Sequence, residues 1–102
     1  MDDSFFEFTS ELWIYPGEAG WHFVTLPTDV ADAIDEAVGE RAGFGSIPVE
    51  ATIGASTWKT SLFPDKQSAS FVLPVKKAVR QRELLEVDAP VLVRLRHDAN
   101  RS

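Results

Sequence analysis

Phe23-Val24-Thr25-Leu26-Pro27 and, 47 residues on, Phe71-Val72-Leu73-Pro74 are one phrase written twice. In each copy an apolar run ends in Leu-Pro and an amphipathic stretch follows, with Val30, Ala33 and Ile34 in the first and Ala78 and Val79 in the second. Each copy reads as a strand that runs straight into a helix. Proline explains the switch: it cannot donate to a sheet ladder, and its fixed φ suits the residues that open a helix.

Working outward, residues 5–15 read as a long first strand, with Phe6, Phe8, Leu12 and Ile14 on one face and Glu7, Thr9 and Glu11 on the other. Trp13 and Tyr15 fall on that second face, so it is not wholly wet. Pro16-Gly17-Glu18-Ala19-Gly20 is a turn, and residues 21–26 return as the second strand of a hairpin. Thr28 or Asp29 caps a helix to about Val38, whose Val30, Ala33, Ile34, Ala37 and Val38 recur at helical spacing. Residues 39–46 are a polar, glycine-rich connection. Ile47, Val49, Ala51 and Ile53 then alternate as a third strand that Gly54 breaks. Residues 57–63 form a fourth strand, 64–68 turn, and the fifth strand ends at Pro74. A short helix over 75–83 precedes a last strand in which Val91, Val93 and Leu95 alternate with Leu92, Arg94 and Arg96.

The order is therefore β-β-α-β-β-β-α-β. Six strands with two short helices cannot make a helix-covered parallel sheet, whereas a barrel buries one face and removes exposed edges. The expectation is a mainly β fold, a small closed or partly open six-stranded barrel whose helices plug its ends or cover its openings. A length of 102 residues suits a single domain. The barrel is expected over about 5–97, with residues 1–4 and 98–102 frayed and the tail reading as such from His97 on.

The composition, 44% hydrophobic and 25% charged, is that of a globular protein rather than a disordered one. No apolar run approaches the roughly 20 residues that cross a bilayer, so no membrane is expected. Met1-Asp2-Asp3-Ser4 is acidic where a secretory signal is basic. The absence of cysteine removes disulfides, thiolate nucleophiles and cysteine metal sites, and a cytoplasmic location is the expectation. The net charge of minus six hides an asymmetry: residues 1–57 hold eleven acidic groups and one basic group, residues 58–102 nine basic and five acidic. Such polarity suits either an anion held on one side of the molecule or attraction between two copies, or it is a solvated surface whose charges segregate.

Three stretches carry a family resemblance: Trp21-His22-Phe23-Val24-Thr25-Leu26-Pro27; Glu50-Ala51-Thr52-Ile53-Gly54 followed by Trp58-Lys59-Thr60-Ser61-Leu62-Phe63-Pro64-Asp65-Lys66; and Val72-Leu73-Pro74-Val75-Lys76-Lys77-Ala78-Val79-Arg80. Together they resemble the bacterial and archaeal domain of unknown function 1905, over nearly the whole chain from about Phe6 to Leu95. The resemblance implies a β-barrel without an established activity, often joined to a second small domain associated with bacteriocin protection. The final third also resembles the swapped-hairpin barrels of transition-state regulators and antitoxins, where Leu-Pro, a helix with an Arg, and Gly-Asp precede a strand. Here Asp88-Ala89 stands in place of Gly-Asp, and Leu84 in place of a Gly that precedes Leu. Those regulators are dimers of half-barrels, so two Leu-Pro units in one chain resemble a fused dimer that closes its barrel alone.

Two clusters are candidate sites. Trp58, Lys59, Ser61 and Lys66 set an indole, amines and a hydroxyl along one strand and its turn, with Lys59 and Ser61 on one face, where they could hold a carboxylate or phosphate. Lys76 and Arg80 lie four apart on the second helix, beside Lys77 and Arg82, and a helix start after Pro74 would favour anions. Set against both is a structural reading: Trp58 in the core and the cations solvated. His22 and His97 are the only imidazoles, and no nucleophile elbow, phosphate-cradling loop or metal-ligand spacing is present. Catalysis therefore has little support, and no cofactor or metal is expected. Nucleic acid is disfavoured by the acidic balance, since DNA affinity rests on many positive contacts. The leading reading is a noncatalytic module, monomer or homodimer, that binds a small anionic ligand or a protein partner through Trp58, Lys59, Ser61, Lys66, Lys76 and Arg80. Its rival is a regulatory or antitoxin-like interaction protein.

Overall fold

A computed structural model describes residues 5–17, 19–39 and 45–98. The elements follow the expected order: β1 (Phe6–Ile14), β2 (His22–Thr25), α1 (Thr28–Val38), β3 (Ile47–Ile53), β4 (Ser56–Asp65), β5 (Ser70–Pro74), α2 (Lys77–Arg82) and β6 (Pro90–His97). The strands close a barrel in the order β1-β2-β5-β4-β3-β6, and every neighbouring pair is antiparallel. Closure removes most of the exposed sheet edge, which is the physical advantage that the sequence order predicts.

The alternation of side chains sets the inside of the barrel. Ile47, Val49, Ala51 and Ile53 of β3 are all buried, as are Val91, Val93 and Leu95 of β6. Phe8 and Leu12 of β1, Val24 of β2, Leu62 of β4 and Leu73 of β5 complete the interior. On β1 the expected inward face holds only in its middle: Phe6 is half-buried, and Ile14, past the rim, is exposed.

Exchanging β1 with β4, β2 with β5 and β3 with β6 returns the same barrel order read backwards. The two β-β-α-β halves thus have equivalent connectivity, and the repeated phrase is its trace: β2 and β5 lie side by side, with Val24 opposite Leu73 and Thr25 opposite Val72. Six strands from this one chain are enough to close the barrel.

The helices differ from their expected limits. In α1 the buried residues are Ala31 and Ile34, with Val30 and Val38 half-buried, whereas Ala33 and Ala37 face out. Alanine fits either side of the stripe, so helical spacing alone did not decide which alanines pack. The helix opens after Pro27, and neither Thr28 nor Asp29 caps it with its side chain. The second helix is shorter than the expected 75–83, because Val75 N still donates to His22 O in the ladder and the chain bends at Lys76. At the end of the chain, His97 pairs with Val49 and Asp98 is buried, its N–H donating to Pro48 O. The last strand thus runs past the point where the composition reads as tail. Residues 1–4 and 99–102, and most of the connection between α1 and β3, lie outside the described residues.

Leaving α2, Leu84 N donates to Gln81 O and Leu85 N to Arg80 O, the paired bonds that end a helix with a left-handed residue. Leu84 is that residue, with φ of 55°, and Asp88 has φ of 70°. These are the two positions where the regulator pattern has glycine, and both take the left-handed conformation that glycine favours. The opposite turn depends on a real glycine. Gly54, at φ of 59°, lies under the Glu83 carboxylate, which accepts from Ser56 Oγ at 2.6 Å and so pins the end of α2 to the start of β4.

Two substitutions test this account by thermal unfolding. Leu84→Gly, at a side chain 83% exposed, is expected to stabilise the fold by about 0.5–1 kcal/mol through relief of the left-handed strain. Gly54→Ala is expected to lower stability by more than about 1 kcal/mol, because the new Cβ meets Glu83 and the backbone is strained. Roughly 4–8 °C of Tm per kcal/mol makes both shifts measurable.

Candidate functional site

The wall between β4 and β5 is incomplete. The two strands pair only at Phe63 with Val72, Pro64 with Phe71 and Asp65 with Ser70, so residues 56–62 of β4 extend beyond the last rung. Antiparallel strands turn successive residues to alternate neighbours. Since Val75 N reaches His22 O on β2, the nitrogen of Pro74 faces β4. Proline has no hydrogen there to give, and the ladder stops. The chain then swings away into α2, and a mouth opens between residues 58–60 of β4, the start of β2 and the start of α2.

This mouth holds a cavity of about 370 Å³. Trp58, half-buried against the core, and Thr60 form its floor on β4, while Gly20, Trp21 and His22 border it from the β1–β2 side. Lys76, Lys77 and Arg80 come from the opposite side with Pro74 and Val75, and Lys59 stands at the edge. No described residue of this lining is acidic.

Arg80 is fixed in place. Its Nε donates to Val75 O at 3.1 Å, and its Nη1 lies 3.4 Å from His22 Nε2. His22 Nδ1 is 2.7 Å from Gly20 O. A carbonyl only accepts and a guanidinium only donates, so the arrangement requires the proton on Nδ1 and the lone pair on Nε2. The chain from Gly20 through His22 to Arg80 and Val75 therefore holds the guanidinium at the mouth and leaves its remaining N–H groups to other acceptors. Lys59 Nζ, with 61% of its side chain exposed, lies 3.9 Å from the Asp98 carboxylate. Among the described residues, Lys76 and Lys77 form no ion pair.

Of the six residues expected to form a site, Trp58, Lys59, Lys76 and Arg80 line this cavity. Ser61 and Lys66 do not. Ser61 lies opposite Pro48 in the β3–β4 ladder, and Lys66 sits beyond the far end of β4, in the turn at 66–69. Lys59 and Ser61 do share an outward face, but the strand places them on different parts of the wall. Arg82 turns away to Ser56 Oγ, at 3.4 Å. The anion-binding helix start expected after Pro74 is absent as well: α2 has six residues and opens only at Lys77. Lys77, Trp21 and His22 join the lining; Trp21 turns outward with Phe23 and His22 the other way, and both border the cavity because it opens at the start of β2.

A second surface adjoins the mouth. Trp13, Tyr15, Trp21 and Phe23 cluster on the outer face of β1 and β2, with Trp13 and Phe23 ring centres 5.2 Å apart and Trp21 nearly parallel to Phe23 at 12°. The strand register continues the face, placing Trp13 opposite Phe23, Phe23 opposite Pro74, and Val72 opposite Phe63. This explains why the face of β1 that carries Trp13 and Tyr15 is not wholly wet.

The family model described as domain of unknown function (DUF1905) matches residues 8–95. No curated protein matches the chain. The matched span runs from the inward Phe8 of β1 to the inward Leu95 of β6 and takes in the repeated Leu-Pro phrase, the mouth and the aromatic face. This chain belongs to the domain of unknown function 1905 family.

Proposed function

We propose that the protein is a noncatalytic binding module whose mouth takes a small anionic ligand, a carboxylate or a phosphate. The observation that carries this reading is the convergence of Lys76, Lys77 and Arg80 with Lys59 on one concavity that no described acidic side chain lines. Charge-assisted hydrogen bonds to an anion are shorter and stronger than neutral ones, and a guanidinium held in place loses little freedom on binding. A cavity of about 370 Å³ is within the usual size range for small-molecule sites. Trp58 gives it an apolar floor. His22 supports a binding role over proton transfer, since both of its ring nitrogens are engaged in orienting Arg80.

Titration with inorganic phosphate followed by amide NMR tests the proposal. The resonances of Trp21, His22, Lys76, Lys77 and Arg80 are expected to move together and saturate, and the affinity to fall as sodium chloride rises. Lys77→Ala, a change at an exposed side chain outside the Arg80 network, should weaken phosphate by about three- to tenfold without altering the fold. Phosphate at tens of millimolar that moves none of these resonances, or moves surface lysines throughout the chain equally, would overturn it.

A further inference from the structure

The mouth is continuous with the aromatic outer face, and the join has a chemical meaning. Trp21 and Pro74 line the cationic cavity and also a neighbouring groove of about 380 Å³ formed by Trp13, Tyr15, Phe23 and Phe63. Resting on the anion reading above, we propose that the ligand is an anion joined to a planar ring. Its charged group sits among Lys76, Lys77 and Arg80, and its ring lies on Trp21 and the groove beside it.

Three observations favour a ring as the second half of the ligand. First, the groove is aromatic and already rigid: Trp13 Nε1 donates to Thr25 Oγ1 at 2.8 Å, so its indole N–H is satisfied within the barrel wall. Phe23 sits between Trp13, Tyr15 and Trp21, touching Tyr15 edge-on at 86° and Trp21 in a near-parallel arrangement. Such a framework offers faces and edges with little conformational freedom left to lose. Second, Tyr15 and Trp21 are 56% and 57% exposed. A stacking surface must be open in this way, and an open surface suits a flat ring better than an alkyl chain, half of which would stay in water. Third, the groove has one acidic lining residue, Asp65, and its Oδ2 already accepts from Ser68 N at 3.2 Å and Ser68 Oγ at 2.7 Å. All lining cations lie on the cavity side of Trp21. An occupant matched to this surface is apolar and flat at one end and negative at the other.

Two sources share that chemistry, aromatic phosphate esters such as nucleotides and aromatic carboxylates. Affinities of phenyl phosphate and inorganic phosphate, then of indole-3-acetate and acetate, separate the ring from the charge and one source from the other; hexanoate serves as the anion with an alkyl chain. The binding is read by calorimetry and by the indole N–H resonance of Trp21. The ring-bearing member of at least one pair is expected to bind about tenfold or more tightly than its ring-free partner and than hexanoate. Tyr15→Ala, in the groove but not in the cavity lining, should reduce that gain and leave inorganic phosphate unchanged, whereas Lys77→Ala should weaken both phosphates by the same factor. Equal affinity with and without the ring, while inorganic phosphate still binds at the mouth, would overturn this inference and leave the anion site standing. Loss of inorganic phosphate binding in Tyr15→Ala would also overturn it, since the aromatic face would then support the cavity rather than the ring. If inorganic phosphate leaves no mark on the wild-type protein, the anion site itself falls.

Discussion

A hydrogen atom that Pro74 does not have decides where the wall of this barrel opens. β5 is bonded on one side to β2 through Leu73 and Val75 and on the other to β4 through Ser70 and Val72. By this register the next bonded rung on the β4 side would set Pro74 opposite Ser61, where the donor is missing. The strands part there, β4 continues to its start at Ser56 without β5 beside it, and the chain leaves the wall for α2. Every feature of the mouth depends on that departure. It exposes the inward-turned Trp58 and Thr60 to a cavity, and it brings Lys76, Lys77 and Arg80 across from them.

The first half of the chain differs. Pro27 lies two residues beyond β2, whose ladder with β1 already stops at Leu12 and Val24. There the opening is filled. Phe8 is buried on the inward face of β1, and α1, with eleven residues, packs against β1 and β5 through Ala31 and Ile34. In the second half a six-residue helix buries only Val79 of its own residues, and its end is held aside by the Ser56–Glu83 bond. The two connections are equivalent in topology, yet one covers core and the other borders a cavity.

Much of this was legible in the sequence. Strict alternation in β3 and β6 named every buried residue of those strands, because the period of two admits no other register once one face is buried. The Leu-Pro phrase located both strand-to-helix switches, and the excess of basic residues after Thr57 was the source of all four cations at the mouth. The convergence was harder to read. Lys59 and Arg80 belong to elements with no direct pairing, and only the missing rung at Pro74 brings them to one cavity. Lys66 was named for its amine and Ser61 for sharing a face with Lys59, yet the strand carries Ser61 opposite Pro48 and Lys66 into the turn after β4. Trp21 and His22 do alternate, Trp21 outward against Phe23, yet both reach the mouth because it opens at the start of β2. The left-handed backbone at Leu84 and Asp88 stands at non-glycine residues, which rarely adopt it, so residue identity conceals it.

The central claim is that the gap left by Pro74 is an anion site, and the most direct measurement is a crystal structure of the protein grown with selenate, a phosphate-sized dianion whose selenium is located by anomalous diffraction. The account predicts an anomalous peak in the mouth within hydrogen-bonding distance of the Arg80 guanidinium and at least one of Lys76 and Lys77, with the His22 to Arg80 contact retained. A mouth without a selenium peak in a crystal whose packing leaves it open, while selenate occupies other basic positions on the surface, would contradict it.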